Sequence, residues 1–155
     1  RIPQIILRTS LIVGFPGETD EDFALLREFI KEYRFDRLGI FTYSKEEGTP
    51  AAKLKPQVPK KVKEKRYNEL MKLQSEIVAE SNMSKIGEVY KTIVEGVAED
   101  GIFYYGRSYA EAPDIDSLIY FTSMEPLETG SFVDVKILNT DNYDLIGEVV
   151  NESSK

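Results

Sequence analysis

Residues 8–23 read RTSLIVGFPGETDEDF, and this stretch decides the fold of the first half of the chain. The β-branched and large apolar residues at positions 5–13 predict a strand. A turn of glycine, phenylalanine, proline and glycine follows, and Thr19 with the three acidic residues after it predicts a helix N-terminus. We therefore expect a strand-loop-helix corner, the kind of place where α/β barrels bind small molecules.

The next residues extend this pattern into a strand-helix-strand unit. An apolar stripe of helical period over residues 23–33 predicts a helix, and residues 37–43 predict a second strand. A connection of this length favours a parallel pair of strands. Two parallel strands and one helix cannot bury a core by themselves. Either the earlier strands of an α/β barrel lie outside this chain, with residues 1–58 as its C-terminal strands and helix, or this segment is unstable by itself.

The rest of the chain predicts a linker helix over residues 59–85 and then a small β-barrel. Pro59 suits the first position of a helix, and an amphipathic pattern follows it. From residue 88 the apolar pattern changes to a period of two. The candidate strands are residues 89–97, 102–109, 117–122, 132–138 and 145–150, with turns at 99–101, 128–130 and 139–143. Five short strands favour a five-stranded OB-like β-barrel over residues 86–155.

The composition limits the chemistry of the chain. It contains neither cysteine nor histidine, which excludes disulfides and both thiolate and imidazole metal ligands within these residues. No apolar run is long enough for a membrane span, and we expect a cytoplasmic protein with no membrane partner.

Through Lys85 there are 16 basic and 13 acidic residues, whereas from Ile86 there are 4 basic and 14 acidic residues. This asymmetry predicts two units with different partners.

Several short motifs, in their order, resemble the radical S-adenosylmethionine (SAM) methylthiotransferases. They are IVGFPGET at 12–19, FTYS at 41–44 and EGTPAA at 47–52. VEG at 94–96, GRS at 106–108 and DLIG at 144–147 are similar to the TRAM domain of those enzymes. The stretch GRSYAEAPDID at 106–116 resembles the RimO-type branch, which methylthiolates the β-carbon of an aspartate in ribosomal small-subunit protein twelve. The resemblance covers nearly the whole chain and implies the C-terminal part of an enzyme.

The same resemblance implies two kinds of cofactor, SAM and a pair of 4Fe–4S clusters. In the full-length enzyme cysteines outside this chain would hold both clusters. The chain would then supply no catalytic residue and would be inactive alone. Its implied contribution is a wall of the SAM pocket, with Arg8, Ser10, Ile12, Gly14, Phe41 and Tyr43 as the candidate residues. For Arg8 the alternative is a salt bridge inside the barrel, and for the apolar residues it is packing in the core.

The acidic terminal unit indicates a basic partner. It would repel a phosphate backbone and attract a basic ribosomal protein of the small subunit. The candidate substrate-docking residues are Arg107, Glu111, Asp114 and Asp116, and the alternative for these charges is solubility. A cationic run at the start of the long helix is either a solvated face or a contact with ribosomal RNA. It comprises Lys60, Lys61, Lys63, Lys65 and Arg66. Two other functions stay open: a tRNA methylthiotransferase, and a non-catalytic TRAM or OB-like binding adaptor.

Overall fold

The computed structural model describes residue 2 and residues 4–150. The chain divides into two compact units, Arg1–Val78 and Ala79–Lys155. The first contains β1 (Arg8–Val13), α1 (Asp20–Tyr33), β2 (Arg37–Thr42), α2 (Pro50–Lys53) and most of α3 (Lys60–Ser84). The second contains the end of α3 and the strands β3 (Val89–Val97), β4 (Tyr104–Arg107), β5 (Ile119–Thr122), β6 (Phe132–Asp141) and β7 (Asp144–Val149).

In the first unit β1 and β2 form a parallel pair, which confirms the predicted strand-helix-strand unit. Their register runs from Arg8 opposite Arg37 to Val13 opposite Thr42. One face of this pair packs against helices α1 and α3. The buried core there consists of Val13, Phe23, Ile30, Ile40, Leu70 and Ile77. Because side chains alternate along a strand, the other face carries Arg8, Ser10 and Ile12, all of which are exposed.

Helix α1 begins where its capping residues place it. The Thr19 side chain accepts a hydrogen bond from the Asp22 amide at 3.1 Å, and the Asp22 carboxylate accepts one from the Thr19 amide at 2.9 Å. This reciprocal pair is a capping box, which satisfies amide groups that the helix itself leaves unpaired. The N-terminus predicted at Thr19 is therefore confirmed.

Replacing Thr19 with alanine should lower the free energy of unfolding of the first unit by about 1 kcal/mol, because the Asp22 amide loses its acceptor. Urea denaturation followed by helical circular dichroism measures this change. Ser44→Ala, in the exposed loop after β2, is the matched control, and we expect it to stay within about 0.5 kcal/mol of the wild type. Equal stability of the Thr19 variant and the control would contradict the capping role.

Helix α1 also carries a second apolar stripe, on a side of the helix away from the core. Leu25, Phe29 and Tyr33 follow one another at intervals of four residues and are 71%, 41% and 53% exposed. The Phe29 ring lies 4.5 Å from the Tyr33 ring and 5.5 Å from the Phe35 ring, measured between centroids. We call Leu25, Phe29 and Tyr33 the outer stripe of α1.

The predicted linker helix is α3, and the division between the two units falls inside it, after Val78. Leu70 and Ile77 belong to the core of the first unit. Further along the helix, the Asn82 side-chain amide donates to the Tyr143 carbonyl oxygen at 3.2 Å, within the second unit. The helix thus contributes packing residues to each unit.

The second unit is a closed five-stranded barrel with the strand order β3-β4-β5-β7-β6. Strands β5 and β7 pair in parallel, and all other neighbours pair antiparallel. The predicted OB-like β-barrel is therefore confirmed for this unit. Its core is formed by Val94, Ile119, Phe121, Val135, Ile137 and Leu145.

Several predicted strand boundaries in the barrel are wrong: β4 ends at Arg107 rather than at residue 109, and β5 starts at Ile119 rather than at residue 117. Residues 139–143 were expected to form a turn, but β6 continues through Asp141 and leaves only Asn142 and Tyr143 between the strands. Asn142 has a φ of 53°, which a two-residue hairpin turn accommodates well. Strand β4 starts at Tyr104 rather than at residue 102, because the Asp100 carboxylate holds the amides of residues 102 and 103 in the preceding turn.

Two glycines lie where strands of the barrel approach most closely. The pairing register shifts between Val94 and Gly96 in β3, and again between residues 137 and 139 in β6, so each strand has a bulge. A Cβ atom on Gly106 would overlap the carbonyl oxygen of Ile93. A Cβ atom on Gly147, which pairs beside the second bulge, would overlap the carbonyl oxygen of residue 136. Both positions therefore require glycine.

Candidate functional site

The exposed face of the β1–β2 pair brings together four of the predicted SAM-pocket residues. Ile12 and Phe41 are register partners on adjacent strands and are 56% and 59% exposed. Ser10 pairs with Gly39, and because Gly39 has no side chain, the Phe41 ring and the Ser10 hydroxyl both border the space above it. Arg8 lies on the same face, two residues nearer the start of β1 than Ser10. The result is an apolar surface with polar groups at one end.

The other two predicted pocket residues, Gly14 and Tyr43, contact a side chain of α3. Glycine is favoured at position 14 for two reasons. A Cβ atom there would overlap the Lys63 side chain, and the φ of 74° is one that other residues rarely adopt. The Lys63 ammonium group donates to the Tyr43 carbonyl oxygen at 2.8 Å and lies 4.8 Å from the centre of the Tyr43 ring. Phe15 packs edge-on against the same ring at 5.3 Å. The structure thus gives Gly14 a reason for its small size other than close approach of a ligand.

The loop between β1 and α1 is held by a buried ion pair. The Arg66 guanidinium donates to the Glu18 carboxylate at 2.5 Å and to the Asp20 carboxylate at 2.7 Å. The second Glu18 oxygen accepts a hydrogen bond from the Gly14 amide at 2.8 Å. Burial disfavours the charged form of Arg66, but the hydrogen bonds to Asp20 and Glu18 outweigh it and raise the pKa of Arg66 above its usual value.

This arrangement corrects the predicted cationic face of α3. Arg66 is 5% exposed and paired with two carboxylates, so the prediction that it contacts ribosomal RNA is wrong. Lys63 is half-buried and hydrogen-bonded to the main chain at Tyr43. Lys60, Lys61 and Lys65 are exposed, and Lys60 lies 3.7 Å from Glu64.

An open cleft of about 590 Å³ lies beside β2 in the first unit. It is lined by Ile40, Phe41, Thr42, Glu64, Tyr67 and Asn68. Phe41 therefore borders both this cleft and the exposed face of the strand pair. Sequence analysis missed the cleft, because the α3 residues that line it lie more than 20 positions after β2 along the chain.

The structure also corrects part of the predicted docking loop in the second unit. Glu111 is 6% exposed, and its carboxylate accepts from the Ser108 amide at 2.9 Å and from the Ser108 hydroxyl at 2.6 Å. The prediction of a solvent-facing docking carboxylate at Glu111 is therefore wrong. Asp116 accepts from the Ala112 amide at 2.7 Å and is half-buried, whereas Asp114 is exposed and has a φ of 60°.

Arg107 is held by its neighbours in the barrel. Its Nε atom donates to the Glu95 carboxylate at 2.7 Å, and its Nη1 atom donates to the Glu111 carbonyl oxygen at 3.3 Å. The side chain of Arg107 is 18% exposed, and that of Glu95 is 28% exposed. Of the four predicted docking residues, Asp114 is thus the one whose carboxylate faces solvent most openly.

A smaller notch in the second unit was also missed by sequence analysis. Its volume is about 170 Å³, and it is lined by Phe103, Tyr120, Asp141, Asp144 and Ile146. Asp141 and Asp144 face each other across the two-residue turn between β6 and β7. One oxygen of Asp144 accepts from the Leu118 amide at 2.9 Å. The two aspartates flanking a short turn are the sequence signal that could have found this notch.

The described residues offer no metal site. Across residue 2 and residues 4–150, no group of three or more carboxylates is arranged to hold a metal ion. The whole sequence contains no cysteine, the residue that ordinarily ligates iron–sulfur clusters. No helix in the described part of the chain is long and apolar enough to cross a membrane.

Comparison with known proteins gives two results. The family model of the TRAM domain matches residues 86–150. The chain is also similar to curated proteins named ribosomal protein uS12 methylthiotransferase RimO. The one from Acetivibrio thermocellus is 68% identical over 154 residues, which cover 99% of this chain and 34% of that protein. The one from Caldanaerobacter subterraneus is 54% identical over 147 residues, which cover 95% of this chain and 33% of that protein.

A third relative agrees with these two. The RimO protein from Clostridium tetani is 50% identical over 155 residues, which cover all of this chain and 34% of that protein. The chain therefore spans about a third of the length of the curated relatives it matches. Along nearly its whole length the chain is similar to these RimO-type methylthiotransferases, and its residues 86–150 match the TRAM domain.

Proposed function

We propose that this chain is the C-terminal part of a radical SAM methylthiotransferase of the RimO type. In its full-length form the enzyme would add a methylthio group to the β-carbon of an aspartate in ribosomal protein uS12. The observation that carries this proposal is the 68% identity to a RimO protein over 99% of the chain. The cytoplasm, where ribosomes are found, is the proposed location.

The first unit supports a place in an α/β barrel. Its two strands are parallel, and one face of the pair is covered by helices, while the opposite face carries Ile12 and Phe41 in exposed positions. Strands of a barrel have this arrangement, with helices outside and the remaining face turned toward the lumen. We propose that residues 1–58 complete a radical SAM partial barrel, with the exposed face turned inward.

The exposed face suits SAM as a ligand. The adjacent Ile12 and Phe41 side chains offer an apolar surface for a flat nucleoside base, and Ser10 and Arg8 add polar groups on the same face. The Arg8 guanidinium can pair with a carboxylate, which SAM and the substrate aspartate both possess. SAM and the iron–sulfur clusters, when bound, would supply the radical chemistry that an unactivated carbon requires. This chain would orient the nucleoside, and cysteines elsewhere would hold both 4Fe–4S clusters.

The second unit supports a basic protein substrate. Residues 86–155 carry 14 acidic and 4 basic residues, so the unit repels a phosphate backbone and attracts a cationic protein. We propose that the TRAM domain docks uS12, with Asp114 as the exposed carboxylate of the loop and Arg107 and Asp116 shaping it. Lys60, Lys61 and Lys65 remain a proposed contact with nearby ribosomal RNA.

An enzyme assay tests this function. The full-length protein, with its clusters reconstituted and reduced, is incubated with SAM, a sulfur source and either purified uS12 or tRNA. We expect a methylthio group to replace one hydrogen on the β-carbon of an aspartate in uS12, with the corresponding gain in mass, and tRNA to stay unmodified. Modification of tRNA alone would favour the tRNA enzyme, and binding of uS12 by the complete enzyme without modification would favour the adaptor.

In the same assay Arg8→Met should raise the KM for SAM or for uS12 by about tenfold, because a carboxylate loses its charged partner. Lys45→Met, in the exposed loop after β2, removes one positive charge away from the strand face and should leave both KM values unchanged. Circular dichroism of both variants checks that the fold is preserved. Wild-type KM values for the Arg8 variant would contradict the proposed contact.

A further inference from the structure

We infer that Glu18 and Arg66 are positioning residues, which hold the loop after β1 in the shape that the SAM pocket requires. The first turns of α3 would then be a support of that pocket. This inference rests on the proposed function, because it names the residues that hold the pocket wall in place. It assigns the cationic start of α3 a task in the first unit, where sequence analysis considered only a solvated face or RNA.

The Glu18 carboxylate connects the loop to α3 through both of its oxygens. One accepts from the Gly14 amide at 2.8 Å, and the other accepts from Arg66 at 2.5 Å. The side chains of Glu18 and Arg66 are 11% and 6% exposed. Removing one member would leave a buried charge without its partner, which the protein relieves by moving the loop or admitting water.

Two further contacts hold the same loop from the same side. The aliphatic part of Lys63 fills the space beside Gly14, and the Lys63 ammonium group binds the Tyr43 carbonyl oxygen at the end of β2. The Gly17 amide donates to the Pro56 carbonyl oxygen at 2.9 Å, in the segment that leads into α3. Residues 56–66 therefore contact the loop at Gly14, Gly17 and Glu18, and these contacts fix its path.

The loop is close enough to the pocket wall for its position to matter. Gly14 is two residues after Ile12, and the Tyr43 amide donates to the Val13 carbonyl oxygen at 2.8 Å, which ties the ends of both strands together. A shift of the loop would therefore displace the joined ends of both strands, which carry Ile12 and Phe41, the apolar pair assigned to the nucleoside. Displacements of about 1 Å at a binding site are enough to change rates severalfold to a hundredfold.

The chain provides a matched control in a second ion pair made by α3, this time with helix α1 rather than with the loop. Arg27, in α1, donates to the Glu69 carboxylate, in α3, at 2.8 Å. This pair joins α1 to α3, and the carboxylates that Arg27 contacts belong to Glu28 and Glu69, outside residues 14–18. Arg27→Met therefore removes an arginine and its ion pair but leaves the contacts of the loop intact. Arg66→Met removes the ion pair with Glu18, which holds the loop.

The test uses the full-length enzyme with its clusters reconstituted. Equilibrium binding of SAM and steady-state kinetics with uS12 are measured for Arg66→Met, Arg66→Lys and Arg27→Met. We expect Arg66→Met to raise the Kd and KM for SAM about tenfold, while kcat stays within about twofold of the wild type. Arg66→Lys keeps the charge and should recover part of the loss, and Arg27→Met should match the wild type. A merely structural defect would instead reduce the active fraction, and thus kcat, at an unchanged KM.

Hydrogen exchange gives a second readout that does not depend on catalysis. In the Arg66→Met enzyme the amides of residues 12–18 should exchange at least tenfold faster than in the wild type, and in Arg27→Met they should not. Unchanged exchange in Arg66→Met would overturn the inference, as would faster exchange at a wild-type Kd for SAM. If the wild-type enzyme binds SAM but does not modify uS12, the proposed substrate is wrong, and the Kd values still decide the role of Arg66. If the wild-type enzyme binds no SAM, both the proposed function and the inference about Glu18 and Arg66 are wrong.

Discussion

Replacing Gly106 with alanine should destabilise the β-barrel of the second unit by about 4 kcal/mol or more. The new Cβ atom would overlap the carbonyl oxygen of Ile93, which belongs to the backbone of the neighbouring strand beside a bulge. A backbone atom in the wall of a closed barrel cannot move aside without breaking the ladder of hydrogen bonds between the strands. Chemical denaturation, followed by hydrogen exchange of the barrel amides, measures the loss.

Gly96→Ala is the matched control for this variant. Gly96 lies on the other side of the same bulge, but a Cβ atom there would meet the end of the Tyr105 side chain, 2.7 Å from its hydroxyl. A tyrosine side chain can rotate, so we expect this variant to lose only about 1 kcal/mol. If the two alanine variants have equal stability, the backbone contact at Gly106 is not what requires glycine there.

Leu70→Ala should have the next largest effect, a loss of about 3 kcal/mol in the stability of the first unit. Leu70 is fully buried and packs with Val13, Ile30 and Ile40, so its removal leaves a cavity among α1, α3 and the strand pair. Urea denaturation monitored by circular dichroism gives the change in free energy of unfolding. The variant would also loosen the packing of α3, and Arg66 lies one turn earlier on the same helix.

The control for Leu70→Ala is Leu25→Ala, on the outer stripe of α1. Leu25 is 71% exposed, so the same substitution removes little buried surface there. We expect a change within about 0.5 kcal/mol. A loss at Leu25 as large as that at Leu70 would mean that the core of the first unit is not where the structure places it.

Much of the secondary structure followed from the sequence, because it depends on local patterns. The strand-helix-strand unit was predicted from apolar periodicity, and the start of α1 from Thr19. The strand Val89–Val97 was predicted at its observed bounds. The end of β6 could not be predicted, since a bulge after Ile137 keeps the strand paired through residues that by type favour a turn.

The errors at charged residues have a different cause. A run of charged residues in the sequence does not show which of those side chains face solvent and which face the core. Arg66 follows the spacing of the buried stripe, four residues before Leu70 and eight before the buried Gln74. A helical projection of α3 would have revealed it as an inward-facing charge in need of a partner. At Glu111, the serine three residues earlier was the corresponding local signal.

The outer stripe of α1 has a practical consequence for anyone who prepares this chain in isolation. Leu25, Phe29 and Tyr33 expose apolar side chains to solvent along one side of the helix. Exposed apolar patches of this kind promote self-association as the protein concentration rises. Light scattering of the separated polypeptide should therefore report clusters at high concentration. Glutamine at these three positions should disperse them without disturbing the buried side of the helix.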